Sequence, residues 1–364
     1  MVSAGKNGVF SPSERSLPVK ENASEKQKPK PSGKIAGQGT KKDSATTLLF
    51  KTNNENFAEL FNRIMPDEEQ ILPEDLNEED IKETAHLRIT KEGGGTSLVQ
   101  YRDVVKSVRN GNVFAILGIE NQSEIDYAMP FRVLELDFVN YARQVQIIRD
   151  CHEKEWRDER GHMHMPGNIT TGEYLGRFLK EDRIVHCMTL VVYWGEEPWD
   201  GPQKLSDLFH GKADAGHTIQ VNINLLDVCR MTEEEICRYT GELRAVFGFR
   251  KYAQDKKQLG RFIAENQAYF SNVSNTAVNA LAELTHSPQL QEVITPRYQT
   301  KQGGFNMCKG LDGMIQDGIH EGEMKKAKEM SLALSAMGMS DEKIAAAAKV
   351  SVELVKEWLS ESAG

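Results

Sequence analysis

Residues 101–122, YRDVVKSVRNGNVFAILGIENQ, constrain the fold of this chain more than any other stretch. Two β-prone runs flank Asn110-Gly111, a dipeptide suited to a tight hairpin turn. Asp103 sits on the first run, and Glu120 and Gln122 close the second. Residues two apart on a strand point to the same face. Glu120 and Gln122 therefore project together, while Asn121 points away. Hairpin pairing brings Asp103 to the same end of the sheet. One sheet face is then expected to carry two carboxylates and an amide.

That donor set has a chemical reading. Hydrolysis of a phosphodiester needs a cation to activate water and to neutralise charge building on the phosphate. Carboxylates suit Mg²⁺, which binds through one or two of them and keeps its remaining waters. Gln122 cannot act as a base, but its amide can orient water or a phosphate oxygen. The alternative is a hairpin with ordinary solvent-facing polar residues, since E-x-Q on a strand is common.

Further segments carry a resemblance. The run GIENQSEIDYAMPFRVLELDFVNYARQV begins at Gly118. NNENFAELFNRIM and QILPEDL precede it, and VVYWGEEPWDGPQKLSDLF, INLLDVCRM and FNMCKGLDGMIQDGIHEGEMKKAKEM follow. Together they resemble the recombination-promoting nuclease / putative transposase family, over roughly residues 50–360. That family is a branch of the PD-(D/E)XK nuclease superfamily in which Gln replaces the usual catalytic Lys. The resemblance implies that Asp103 and Glu120 are the metal ligands and that Gln122 stands at the lysine position. It offers Glu59, in the opening helix, as a third carboxylate; the other reading of Glu59 is a solvated helix residue. Arg132 and Tyr141 match positions that the family tends to keep polar or aromatic. Arg132 can reach a phosphate bidentately, or pair with Glu135 three residues on. The implied activity is a metal-dependent DNA endonuclease using Mg²⁺ or Mn²⁺, linked to recombination and mobile elements. Double-strand cleavage needs two active sites, so a homodimer is expected. The rival reading is a catalytically weak or inactive nuclease-fold protein that binds nucleic acid or protein.

Charge bears on that choice. The net charge of −9 conceals an asymmetry: residues 1–45 hold nine Lys/Arg against four Asp/Glu, while the remainder holds 36 against 50. An acidic body argues against broad non-specific duplex binding, because phosphate contacts need local positive charge. The five cysteines include no C-x-x-C pair, which speaks against a disulfide framework or a zinc site and for a reducing cytoplasm. No signal-peptide core and no membrane-spanning run is evident.

The expected organisation is a basic, disordered tail over 1–45, a PD-(D/E)XK-like restriction-endonuclease core with a mixed α/β sheet over 50–230, a helical region over 231–330, and a small helix-turn-helix-like module over 331–364. Within the core, Phe57, Leu60, Phe61 and Ile64 mark a helix over 56–65 capped by Asn54. Residues 91–96, with three glycines, read as a loop. A long helix is expected over 131–150, and MTLVVYW (188–194) reads as a buried strand. His152, His162 and His164 lie near Cys151 in a charged stretch that reads as a mobile loop rather than a transition-metal site. Residues 225–300 read as helical. Gly310, Gly313, Gly318 and Gly322 punctuate the next helical stretch, permitting close helix approach or a flexible joint. In the last module the candidate recognition helix, 352–359, has Lys356 as its one basic residue beside Glu353 and Glu357, a poor composition for a DNA reader.

Overall fold

The computed structural model describes residues 44–65, 70–79, 82–88, 95–110, 113–211 and 216–362. The expected tail lies outside them except for Ser44 and Ala45. These two residues cap and open a helix that the sequence reading did not anticipate, α1 (Ala45–Lys51). The next helix, α2 (Asn54–Ile64), is capped by Asn53 rather than Asn54, because the Asn53 carboxamide accepts from the amides of Glu55 and Asn56. The acidic segment that follows α2 contributes a short strand, β1 (Leu76–Glu78). A separate hairpin joins β2 (Lys82–Arg88) to β3 (Gly95–Tyr101). The expected glycine loop over 91–96 lies largely outside the described residues, and Gly95 already belongs to β3.

The expected hairpin is present. Strands β4 (Val104–Asn110) and β5 (Val113–Gln122) pair antiparallel from Asn110–Val113 to Val104–Ile119. Asn110 is the last paired residue of β4, opposite Val113, and not part of the turn. The chain then runs into α3 (Met129–Glu155) and a short α4 (Thr171–Gly176) before returning as β6 (His186–Tyr193), parallel to β5. This βαβ crossover lays α3 on one face of the sheet. Next comes β7 (Asn224–Asp227), a strand where the sequence reading expected helix. Periodicity alone cannot separate a short apolar run such as INLLDV from the start of a buried helix. The sheet order is β1-β4-β5-β6-β7, antiparallel across the first three strands and parallel across the last three. The α/β class with a mixed sheet and a helical C-terminal region is therefore what the structure shows.

Strand alternation sorts side chains between the two faces. Val104, Val108, Ala115, Leu117, Ile119, Leu190 and Val192 point away from α3 into the main core. That core is completed by α1, α2, α5 (Glu233–Cys237), α6 (Glu242–Tyr252), α7 (Lys256–Glu265), α8 (Gln267–Phe270), α9 (Asn275–Leu284) and the start of α10 (Met307–Ala336). It runs unbroken from Leu49 to Met307, so position 230 marks no gap in the packing. Early in α10 the two first glycines meet neighbours within the chain. A Cβ on Gly310 would lie 2.6 Å from Val293, and one on Gly313 would lie 2.0 Å from the Tyr298 hydroxyl. The end of α10 packs with α11 (Asp341–Ala348) and α12 (Val352–Ser362) around Ala327, Ile344, Val355 and Trp358. Lys349 turns between them in the left-handed region, and the Ser351 hydroxyl accepts from the Leu354 amide.

Candidate active site

The strand face turned toward α3 carries the polar residues. Gly118 and Glu120 alternate with the core-facing Leu117 and Ile119. Asp103 bends the chain just before β4. One step beyond the Val104–Ile119 pair, it stands across from Glu120. Its Oδ2 accepts the backbone N–H of Asn121 at 2.8 Å, which ties the two strand ends together. Asn121 points the other way, as expected, and its Oδ1 accepts from Trp194 Nε1 at 3.0 Å. Gln122 ends β5 opposite Tyr193, half-exposed, and shares the Glu120 face.

Glu120 is fully buried. Arg132, in the first turn of α3, brings Nη2 to 2.9 Å from Glu120 Oε2. The approach is off hydrogen-bond geometry, and the Asp103 backbone N–H adds a hydrogen bond that favours the charged carboxylate. Burial, and after it the neighbouring Asp103 charge, push the Glu120 carboxyl up to about 7; Arg132 and Arg102 pull it partly back. The expected alternative for Arg132, a pair with Glu135, is not the one formed. Its partners are Glu120 and, at 3.9 Å, Asp126 Oδ2.

Arg102 was not anticipated, although it adjoins Asp103. Its side chain is buried and lies across β5 at Gly118, where an added Cβ would sit 2.3 Å from Nη1. Only a residue without a side chain leaves room for that path. Beyond the strand, Nη1 donates to Thr189 Oγ1 at 2.7 Å, and Nη2 meets Asp137 Oδ1 of α3 at 2.9 Å. The Thr189 hydroxyl also donates to Asp137 at 2.8 Å. This closed triangle joins the link between β3 and β4 to β6 and α3, next to the carboxylate pair.

Two other candidates are engaged elsewhere. The Glu59 carboxylate accepts from the backbone amide and hydroxyl of Thr240 and from the Gly241 amide, at the N-terminus of α6. A negative charge there satisfies orphan helix amides and complements the helix dipole. Glu59 thus anchors α2 to α6 and is not drawn to the Asp103–Glu120 pair. The Tyr141 hydroxyl accepts from the Cys187 amide at 2.9 Å and so straps α3 to β6. His152 lies on the last turns of α3, and His162 and His164 lie in the turn that follows. His162 and His164 both approach Asp158, while His152 pairs with Asp182 and stacks on Trp156. Among the described residues no group of three or more His, Cys, Asp and Glu is placed to hold a metal ion.

Two carboxylates and an amide remain at the sheet end. Hard divalent cations such as Mg²⁺ accept such a set, completing their shell with water. The full burial of the Glu120 carboxylate beside Asp103 is the observation that fits a cation, since a buried charge otherwise stays costly.

Residues 176–280 match the family model described as putative transposase, YhgA-like. This transposase-family match spans 105 of the 364 residues, from the end of α4 through β6 and β7 to α9. It takes in Thr189 and leaves the hairpin bearing Asp103, Glu120 and Gln122 outside. No curated protein and no solved structure matches the chain. Among the described residues no helix is long and apolar enough to cross a membrane.

Proposed function

We propose that the chain is a metal-dependent DNA endonuclease with a PD-(D/E)XK-like core, hydrolysing phosphodiester bonds at the Asp103–Glu120 pair. The observation that carries the proposal is the fully buried Glu120 carboxylate, facing Asp103 at the end of adjacent strands. The transposase-family match supports DNA as the polymer handled. Asp103 and Glu120 hold Mg²⁺ or Mn²⁺, which supplies positive charge to the phosphate and acidifies water. The chain's own groups do the rest. The Asn121 amide fixes the Asp103 carboxylate, and the Arg102–Asp137–Thr189 triangle sets the strand geometry next to it. Gln122 offers an amide on the same face to orient water or a phosphate oxygen. A double-strand break requires two such sites, hence two copies of the chain.

The rival reading is a nuclease-fold protein that binds without cleaving, and one observation favours it. Arg132 already supplies Glu120 with the positive charge that a metal would bring. A plasmid-nicking assay with Mg²⁺, Mn²⁺ or EDTA separates the two. We expect metal-dependent nicking by the native protein and a loss of about a hundredfold or more in both Asp103→Ala and Glu120→Ala. Nicking that survives both substitutions would refute the assigned site. An inert native protein whose DNA affinity persists in Asp103→Ala would establish the binding reading.

A further inference from the structure

Arg132 has a further role at this site, given the metal-dependent reading above. Two arginines approach the carboxylate pair, and they are held very differently. Arg102 is buried, roofed by strand backbone at Gly118 and fixed by Thr189 and Asp137. Arg132 has a side chain 40% exposed, and its contact with Glu120 falls short of hydrogen-bond geometry. A second carboxylate, Asp126, stands 3.9 Å from the other terminal nitrogen, and its own side chain is 32% exposed. Arg132 thus lies between a fully buried anion and a part-exposed one.

Charge explains why it stays inward. An ionised carboxylate buried beside Asp103 needs a counter-charge, and Arg132 is the cation touching it. A divalent cation on the same two carboxylates removes that need. It also repels the guanidinium and requires Glu120 oxygens that Arg132 now crowds. We propose that Arg132 is a displaceable counter-ion, which holds the buried Glu120 charge until a divalent cation takes its place and moves it outward toward Asp126 and the substrate phosphate. The two cations are then negatively coupled, and the coupling is reciprocal: Arg132 weakens metal binding by the factor that metal weakens the ion pair. Arg132 acts on the metal site as a positioning residue. Its planar fork suits a phosphate oxygen once it is released.

Direct Mn²⁺ titration of the full chain by calorimetry tests this without reference to cleavage. The titration is run at one pH for every form compared. Arg132→Gln keeps a polar group beside Glu120 and guards against misfolding, while Arg132→Lys restores the charge. We expect Arg132→Ala and Arg132→Gln to bind Mn²⁺ about tenfold more tightly than the native protein, and Arg132→Lys to stay close to it. Equal or weaker binding by a folded Arg132→Gln overturns the counter-ion role but leaves the metal site standing. Absence of Mn²⁺ binding in the native protein and in Arg132→Gln alike overturns the metal-dependent reading itself.

Discussion

The two faces of the central sheet solve opposite problems with the same strands. Toward α1, α2 and α6 the strands present Leu117, Ile119 and Val192, all fully buried against aliphatic and aromatic neighbours. Toward α3 they present Gly118, Glu120 and Thr189, buried as well but against Arg102, Asp137 and Arg132. The first face is stabilised by removing apolar surface from water, a term of about 1.5–3 kcal/mol for each large side chain. The second carries charges whose burial is tolerable only where partners are in place. One β-period therefore divides stability from chemistry, with successive residues of β5 assigned to each.

Substitutions on the two faces should separate along that line. The largest effect is expected on the apolar side, where Leu117→Ala removes about 2–5 kcal/mol. Urea denaturation should show that loss equally at pH 5 and pH 8, because no titrating group is involved. Glu120→Gln should do the reverse. The folded protein holds the Glu120 proton up to about 7 against an ordinary 4.5, so it binds more protons than the unfolded chain between those values. Stability from this group is complete below pH 4.5 and is lost as pH rises through 7. Glu120→Gln mimics the protonated form, so above pH 7 it should exceed the native protein by up to about 3 kcal/mol and match it near pH 4.5. A native protein as stable at pH 8 as at pH 5, relative to Glu120→Gln, would break the comparison. The smallest effect belongs to Gly118→Ala, at about 1–3 kcal/mol. Its added methyl would displace the Arg102 guanidinium, and it should also lower nicking activity although it touches neither carboxylate.

The sequence revealed what local pattern encodes. Alternation and Asn110-Gly111 placed the β4–β5 hairpin and the shared face of Glu120 and Gln122. Helical spacing placed α2 and α3, which differ from expectation by a few terminal residues. What it hid depends on distant partners. Arg132 has an acid three residues on, so a helix-surface pair with Glu135 was the natural local reading; tertiary packing gives it Glu120 instead. Nothing local marks Arg102, because its path opens only where Gly118, sixteen residues later, leaves space. Glu59 carried a carboxylate on the right helix, yet its destination is the N-terminus of α6, far along the chain. Short elements were the other loss. β1 and β7 are brief enough that neither period could establish itself, and neighbouring elements decide their form.

The Glu120–Arg132 contact spans only twelve residues of chain, from the end of β5 to the first turn of α3. Its formation is a local event, independent of whether the distant helices of the main core have docked. A partly opened protein that keeps this one strand-to-helix junction also keeps its buried acid neutralised. The fully buried Glu120 charge thus need not stand bare while the surrounding fold assembles or breathes.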